Sequence, residues 1–219
     1  MNPQLLVSGI FLLLFLGIVL ASQLMYKASV STEKSRKFVH VAGGTLALFL
    51  PLFIESHEYV LGICSLAFLL LLVSRILKGL PGIHRTKRKS VGSIIFPIPI
   101  YICFAAATDA NDDMLFYIPV SLMTYSDTVA EWGGKKLGKY GRAIFGGRKT
   151  VMGSLCFFAS ALVIISAWPV DCGGINFYVS MNNFTVPLKI ALATTIVELI
   201  SLNGWDNLTV PLAALGLLL

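Results

Sequence analysis

The placement of charge relative to apolar sequence constrains this chain more than any other feature. Eight apolar stretches can be marked off: Leu5–Gln23, Phe38–Ile54, Tyr59–Ser74, Val91–Thr108, Met114–Trp132, Val151–Val170, Pro187–Leu202 and a short final one from Leu208 to Leu219. Sixteen of the seventeen Lys and Arg fall in the connections after the first, third and fifth stretches. The connections after the second, fourth and sixth hold Glu55, Glu58, Asp109, Asp112, Asp113 and Asp171, and no Lys or Arg. Strict alternation of this kind is what the bias of Lys and Arg toward cytoplasmic loops produces. The expectation is an all-α, polytopic transmembrane helical bundle of about seven or eight spans, with the N-terminus outside and the basic loops cytoplasmic. A crossing helix needs about 20 apolar residues. Several stretches are shorter, and the last is too short to cross unless Trp205 onward joins it.

Composition points the same way. The chain is 56% hydrophobic and 13% charged, where a soluble domain carries about 25% charge. A single integral membrane domain over residues 1–219 is expected, multi-pass, in a bacterial or archaeal inner membrane or a eukaryotic ER or plastid membrane. The net charge of +6 does not call for nucleic acid as a partner, because the basic residues sit in short loops between apolar runs. The first 26 residues carry no charged side chain and lack the basic start of a secretory signal, so they read as a retained span. Cys64, Cys103 and Cys156 lie in apolar sequence as small core residues, and Cys172 lies in a loop.

Four segments carry chemistry. In the stretch from Tyr125 to Ser154, Asp127 and Glu131 stand four apart inside an apolar run and so share one helix face. Charge there is costly and marks a functional site by default. Two carboxylates can hold a divalent cation such as Mg²⁺ together with substrate phosphates. The plain alternative is an ion pair between Glu131 and Lys135. After Gly133, Gly134 and Lys135 comes a basic, Gly-rich loop that leads to Arg148, Lys149, Thr150, Gly153 and Ser154. Gly and basic residues together suit a phosphate, and Thr150 can cap the following helix. Gly153 and Ser154 serve equally as small residues for helix packing. Earlier in the chain, Arg36, Lys37 and His40 open the second stretch. A cluster that stops membrane transfer explains its charges well, but not His40, about one turn inside. Near the end, Glu198 lies within an apolar run, followed by Asp206 and Asn207. Glu198 needs an interior partner, and Asp206 is either a second metal ligand or a turn residue. Asn183 and Asn207 both begin glycosylation sequons.

Taken together, Arg36-Lys37-x-x-His40, Ser126-Asp127-x-x-Ala130-x-x-Gly133-Gly134-x-x-x-Gly138-Lys139, Lys149-Thr150-x-x-Gly153-Ser154, and Glu198 followed by Gly204-x-Asp206-Asn207-x-x-x-Pro211 give the chain a recognisable pattern. It resembles the CTP-dependent lipid-alcohol kinases, which include dolichol, phytol and yeast-type diacylglycerol kinases. The resemblance runs from about Arg36 to Pro211. It implies transfer of the γ-phosphate of CTP to the hydroxyl of a membrane lipid at the cytoplasmic face, with Mg²⁺. Arg36, Lys37, Asp127 and Gly134 match positions expected to matter for activity, and Lys149–Ser154 matches the nucleotide-phosphate segment. The chain departs from the pattern at Met152, where the family often has Glu, and at Ser126, where it often has Gly. The distantly related CDP-diacylglycerol synthases carry His-Gly-Gly before paired acids near the C-terminus. Here Asn207 follows Asp206 and no His-Gly-Gly precedes it. A cytidylyltransferase, and a transporter or non-catalytic membrane protein, are the rival readings.

These readings give an expected site. Asp127, Glu131, Glu198 and Asp206 are the candidate metal ligands. Asp127, Arg36, Lys37 and His40 are the catalytic candidates. Gly133, Gly134, Lys135, Arg148, Lys149, Thr150, Gly153, Ser154 and Asn207 are the nucleotide contacts. Asp127 or Glu131 would orient or deprotonate the lipid hydroxyl, with His40 as the alternative base. Pro97 and Pro99 would kink the fourth stretch.

Overall fold

The computed structural model describes residues 2–85, 90–137, 143–144, 149–167 and 184–219. Among them the chain is helical, apart from one two-residue ladder. Each expected apolar stretch has a helical counterpart. The first is α1 (Pro3–Lys27), which Asn2 caps by accepting a 3.0 Å hydrogen bond from the Gln4 N–H, with Pro3 in its opening turn. The second divides into α2 (Thr32–Ala47) and α3 (Leu50–Phe53), because Pro51 lacks an N–H and starts a new helix. α4 (His57–Ile76) is capped by Ser56 and ends where Lys78 takes a positive φ. The short α5 (Pro81–His84) follows.

The fourth stretch divides at Phe96 into α6 (Gly92–Ile95) and α7 (Pro97–Ala110), so the break expected near Pro97 and Pro99 lies at the residue before Pro97. The fifth continues from α8 (Met114–Ser121) through a π-helical turn (Leu122–Ser126) into α9 (Asp127–Leu137). The strands β1 (Ala143–Ile144) and β2 (Lys149–Thr150) pair antiparallel. α10 (Val151–Ala167), α11 (Thr185–Ile200) and α12 (Asp206–Leu218) complete the fold.

Among the described residues, three helical stretches, Pro3–Lys27, His57–Ile76 and Gly92–Ala110, are long and apolar enough to cross a membrane. Val151–Ala167 and Asp206–Leu218 are apolar but shorter. The outer faces of α1, α4, α10 and α11 are apolar: Leu13, Leu20, Leu66, Leu69, Val163, Leu192 and Ile196 are exposed, which suits contact with lipid chains rather than water.

Three apolar clusters hold the helices together. One joins α1, α2, α4, α7 and α8 around Phe116, Val60 and Cys103, and a second joins α8 to α12 around Phe157 and Ala161. The third, smaller one gathers Val19, Val39, Leu71, Ile83 and Ile94 from α1, α2, α4, α5 and α6. In lipid, close backbone approach replaces water exclusion as the source of packing energy. α9 and α10 use it: a Cβ at Gly133 would collide with Cys156, and one at Gly153 would lie 3.1 Å from the Ala130 carbonyl oxygen.

Candidate active site

The π-helical turn sits immediately before Asp127. π-Turns of this kind occur often at functional sites, since the extra residue re-aims the side chains after it. Here it aims Asp127 and Glu131 at α2. Lys37 donates to Asp127 Oδ2 at 2.7 Å and lies 2.9 Å from Glu131 Oε2, so one ammonium bridges both acids. Lys135 forms the anticipated i,i+4 pair with Glu131 at 2.6 Å and also reaches Glu33 at 3.2 Å. His40 Nε2 lies 3.0 Å from the Met123 carbonyl oxygen and 3.6 Å from Asp127 Oδ2. A carbonyl only accepts, so Nε2 carries the proton and any basic role for His40 falls to Nδ1.

A second bridge faces the first. Lys149 donates to Glu198 Oε1 at 2.5 Å and to Asp206 Oδ2 at 3.0 Å. Glu198 therefore finds its partner in a basic side chain, and Ser154 adds a weak bond at 3.5 Å. Burial opposes charge on Lys149, but the Asp206 and Glu198 carboxylates outweigh it and hold its pKa above the ordinary lysine value. Thr150 Oγ1 accepts from the Gly153 N–H at 3.1 Å, the cap anticipated for α10.

Both bridges line one cleft of about 1050 Å³. It brings together Arg36, Lys37, His40, Asp127, Glu131, Gly134, Lys135, Lys149, Thr150, Gly153, Ser154, Glu198, Asp206 and Asn207. Gly133 is not among its lining residues and packs on Cys156 instead. Arg148 lies outside the described residues, as do Gly138, Lys139, Cys172 and Asn183. Met152 is not among the lining residues either. Asn207 is buried and donates to the Gly92 carbonyl oxygen at 3.0 Å, tying α12 to α6. That burial leaves its sequon unusable in the folded chain.

Among the described residues, no three His, Cys, Asp or Glu side chains gather closely enough to hold a metal alone. The acids come instead as two lysine-bridged pairs. This donor set fits Mg²⁺, which binds through one or two carboxylates and completes its shell with water and phosphate oxygens.

Sequence reasoning missed Arg75. It lies in the last turn of α4, lines the cleft and donates to the Ser90 carbonyl oxygen at 2.6 Å. Its charge reads in the sequence as one more loop cation, and only its place in the last turn of an apolar helix sets it apart.

Comparison with known proteins yields one distant, nearly full-length likeness. Over 209 residues the chain is 25% identical to phytol kinase of Synechocystis sp., covering 91% of this chain and 85% of the relative. It is similar to a lipid-alcohol kinase. No protein-family model matches the chain, and no solved structure matches it.

Proposed function

We propose that the protein is a CTP-dependent kinase of a membrane lipid alcohol of polyprenol, phytol or diacylglycerol type, working at the cytoplasmic face of a polytopic bundle. The observation that carries the reading is the convergence of four separate segments on one cleft, with Lys37 between Asp127 and Glu131 and Lys149 between Glu198 and Asp206. The phytol kinase likeness supports the same reaction class, and sixteen of the seventeen Lys and Arg in alternate loops support the sidedness.

Phosphoryl transfer needs positioning and charge neutralisation more than covalent chemistry. Asp127, with Asp206 or Glu198, would hold Mg²⁺, which when bound neutralises charge on the phosphate oxygens. Lys37 and Lys149, each tethered by two carboxylates, keep their ammonium groups at the cleft and in reach of a phosphate. Arg36, next to Lys37 on α2, also lines the cleft and adds charge. Gly134 and Gly153 keep the wall beside Thr150 low. Asp127 or Glu131 orients the acceptor hydroxyl and takes its proton as the oxygen–phosphorus bond forms and CDP leaves. Phe15, Val39, Leu71, Ile83 and Phe96 also line the cleft and offer the lipid chain apolar contact.

The test is an assay in detergent–lipid micelles with γ-labelled CTP and Mg²⁺. Acceptors are phytol, a farnesol-to-dolichol series and diacylglycerol, with ATP as the competing donor. Label in a chloroform-soluble phosphate is the expected result. Label from α-labelled CTP in a CDP-lipid, with none from the γ-position, would overturn the kinase in favour of a cytidylyltransferase.

A further inference from the structure

The cleft's charges are unevenly paired. All five acids that line it, Glu33, Asp127, Glu131, Glu198 and Asp206, are bound by three lysines, Lys37, Lys135 and Lys149. The two cleft arginines, Arg36 and Arg75, have no acidic partner among the described residues. Both converge on Ser90. Arg36 Nη1 lies 3.4 Å from Ser90 Oγ, and Arg75 Nη1 donates to the Ser90 carbonyl oxygen at 2.6 Å. Arg36 Nε is buried with no hydrogen-bond partner among the described residues. Ser90 Oγ accepts from Arg36 and from the Gly92 N–H at 3.3 Å. Its lone pairs are thereby taken, and among the described residues its hydroxyl proton has no acceptor.

Two guanidinium groups with no carboxylate of their own among the described residues, beside a hydroxyl, suit an oxyanion at this end of the cleft, because guanidinium matches phosphate geometry. Asn203 and Gly204, both at positive φ, bring the chain against this corner. The Val91 N–H donates to the Asn203 carbonyl oxygen at 3.0 Å, and Gly204 lies against Ser90 and Gly92 so closely that no side chain fits there. The corner is thus braced by the segment between α11 and α12. We propose that Arg36, Arg75 and Ser90 form the seat for the phosphate chain of the nucleotide, with Arg75 as a phosphate-binding residue. This rests on the kinase reading and adds a guanidinium seat for the phosphate chain beside the carboxylate-tethered lysines.

The phosphate of a lipid monophosphate product shares this chemistry, so the experiment separates the two sources. Inorganic tripolyphosphate, CDP and a lipid monophosphate are titrated calorimetrically against the full-length protein in nanodiscs, as wild type, R75Q, R75K and S90A. Loss of a charge-assisted hydrogen bond predicts that R75Q binds tripolyphosphate and CDP about tenfold or more weakly. R75K keeps the charge, loses the fork and recovers only part. S90A weakens binding several-fold through loss of the donor. In turnover, R75Q raises KM for CTP and leaves KM for the lipid alcohol in place, whereas a general structural defect would move both. Tripolyphosphate binding to R75Q within about twofold of wild type overturns the proposal, because an intact charge-assisted contact cannot be removed that cheaply. Loss of lipid monophosphate binding alone also overturns it. If R75Q does not fold, unchanged binding by S90A overturns it in the same way. Arg75-dependent binding of tripolyphosphate without transfer to any lipid would leave the seat standing and remove the kinase reading.

Discussion

Replacing Lys149 with Met removes the one cation between two carboxylates and adds no new charge. The side chains of Lys149, Glu198 and Asp206 are 15%, 4% and 15% exposed, so water replaces the lost partner poorly. Removing one member of a buried pair costs about 3–5 kcal/mol, because the other charge is left uncompensated. In a chain of this size each kcal/mol moves the melting temperature by about 2–4 °C, so K149M should melt about 6–20 °C below wild type. The assay is thermal unfolding in detergent followed by tryptophan fluorescence, for which Trp205, beside Asp206, is a local reporter. Adding E198Q to K149M removes one of the two stranded charges, and the pair should show a coupling energy of about 2 kcal/mol. A drop of less than about 2 °C, or additive single effects, would refute the view that the bridge holds β2, α11 and α12 together.

Neighbouring features give further expected outcomes. D127N should fold and lose turnover, checked by labelled-phosphate transfer beside a melting curve; turnover near wild type would remove Asp127 from the metal and base roles. The raised pKa of Lys149, which its two carboxylates impose against burial, means the bridge contributes fully below the unfolded lysine value of 10.5 and is lost only as pH rises through the higher folded value. The melting-temperature gap between wild type and K149M should therefore stay constant from neutral pH to just below that value. A Cβ at Gly44 would run into the side chain of Thr124, so G44A should lose about 1–3 kcal/mol by overpacking. G44A/T124A should recover part of that loss in the same melt.

Much of the helix plan was legible because each apolar stretch announces itself; the break beside Pro97 was expected, while the one at Pro51, inside the stretch Phe38–Ile54, was not. The face shared by Asp127 and Glu131 was legible from spacing alone, as was the Glu131–Lys135 pair. The partners of Lys37 and Lys149 were not. Lys37 meets Asp127 across 90 positions and Lys149 meets Glu198 across 49, and no local pattern encodes contacts set by helix packing. Gly133 read as a phosphate-loop glycine because Gly looks the same in sequence whether it clears room for a ligand or for Cys156. Arg75 was hidden among loop cations for a similar reason, since a snorkelling side chain and one turned into a cleft share the same letter.

The π-helical turn at Leu122–Ser126 also acts as a phase shifter. α8 keys its buried face to the core through Phe116, Ile118 and Val120, while α9 must point its acids at Lys37. An ordinary helix advances about 100° per residue, so one residue removed from the wide turn would leave both helices intact and swing Asp127 about a quarter of the way round. Packing and chemistry are thus set on two dials joined by a single coupling. Drift in length at those five residues would silence the site in a protein that still folds, inserts and looks whole.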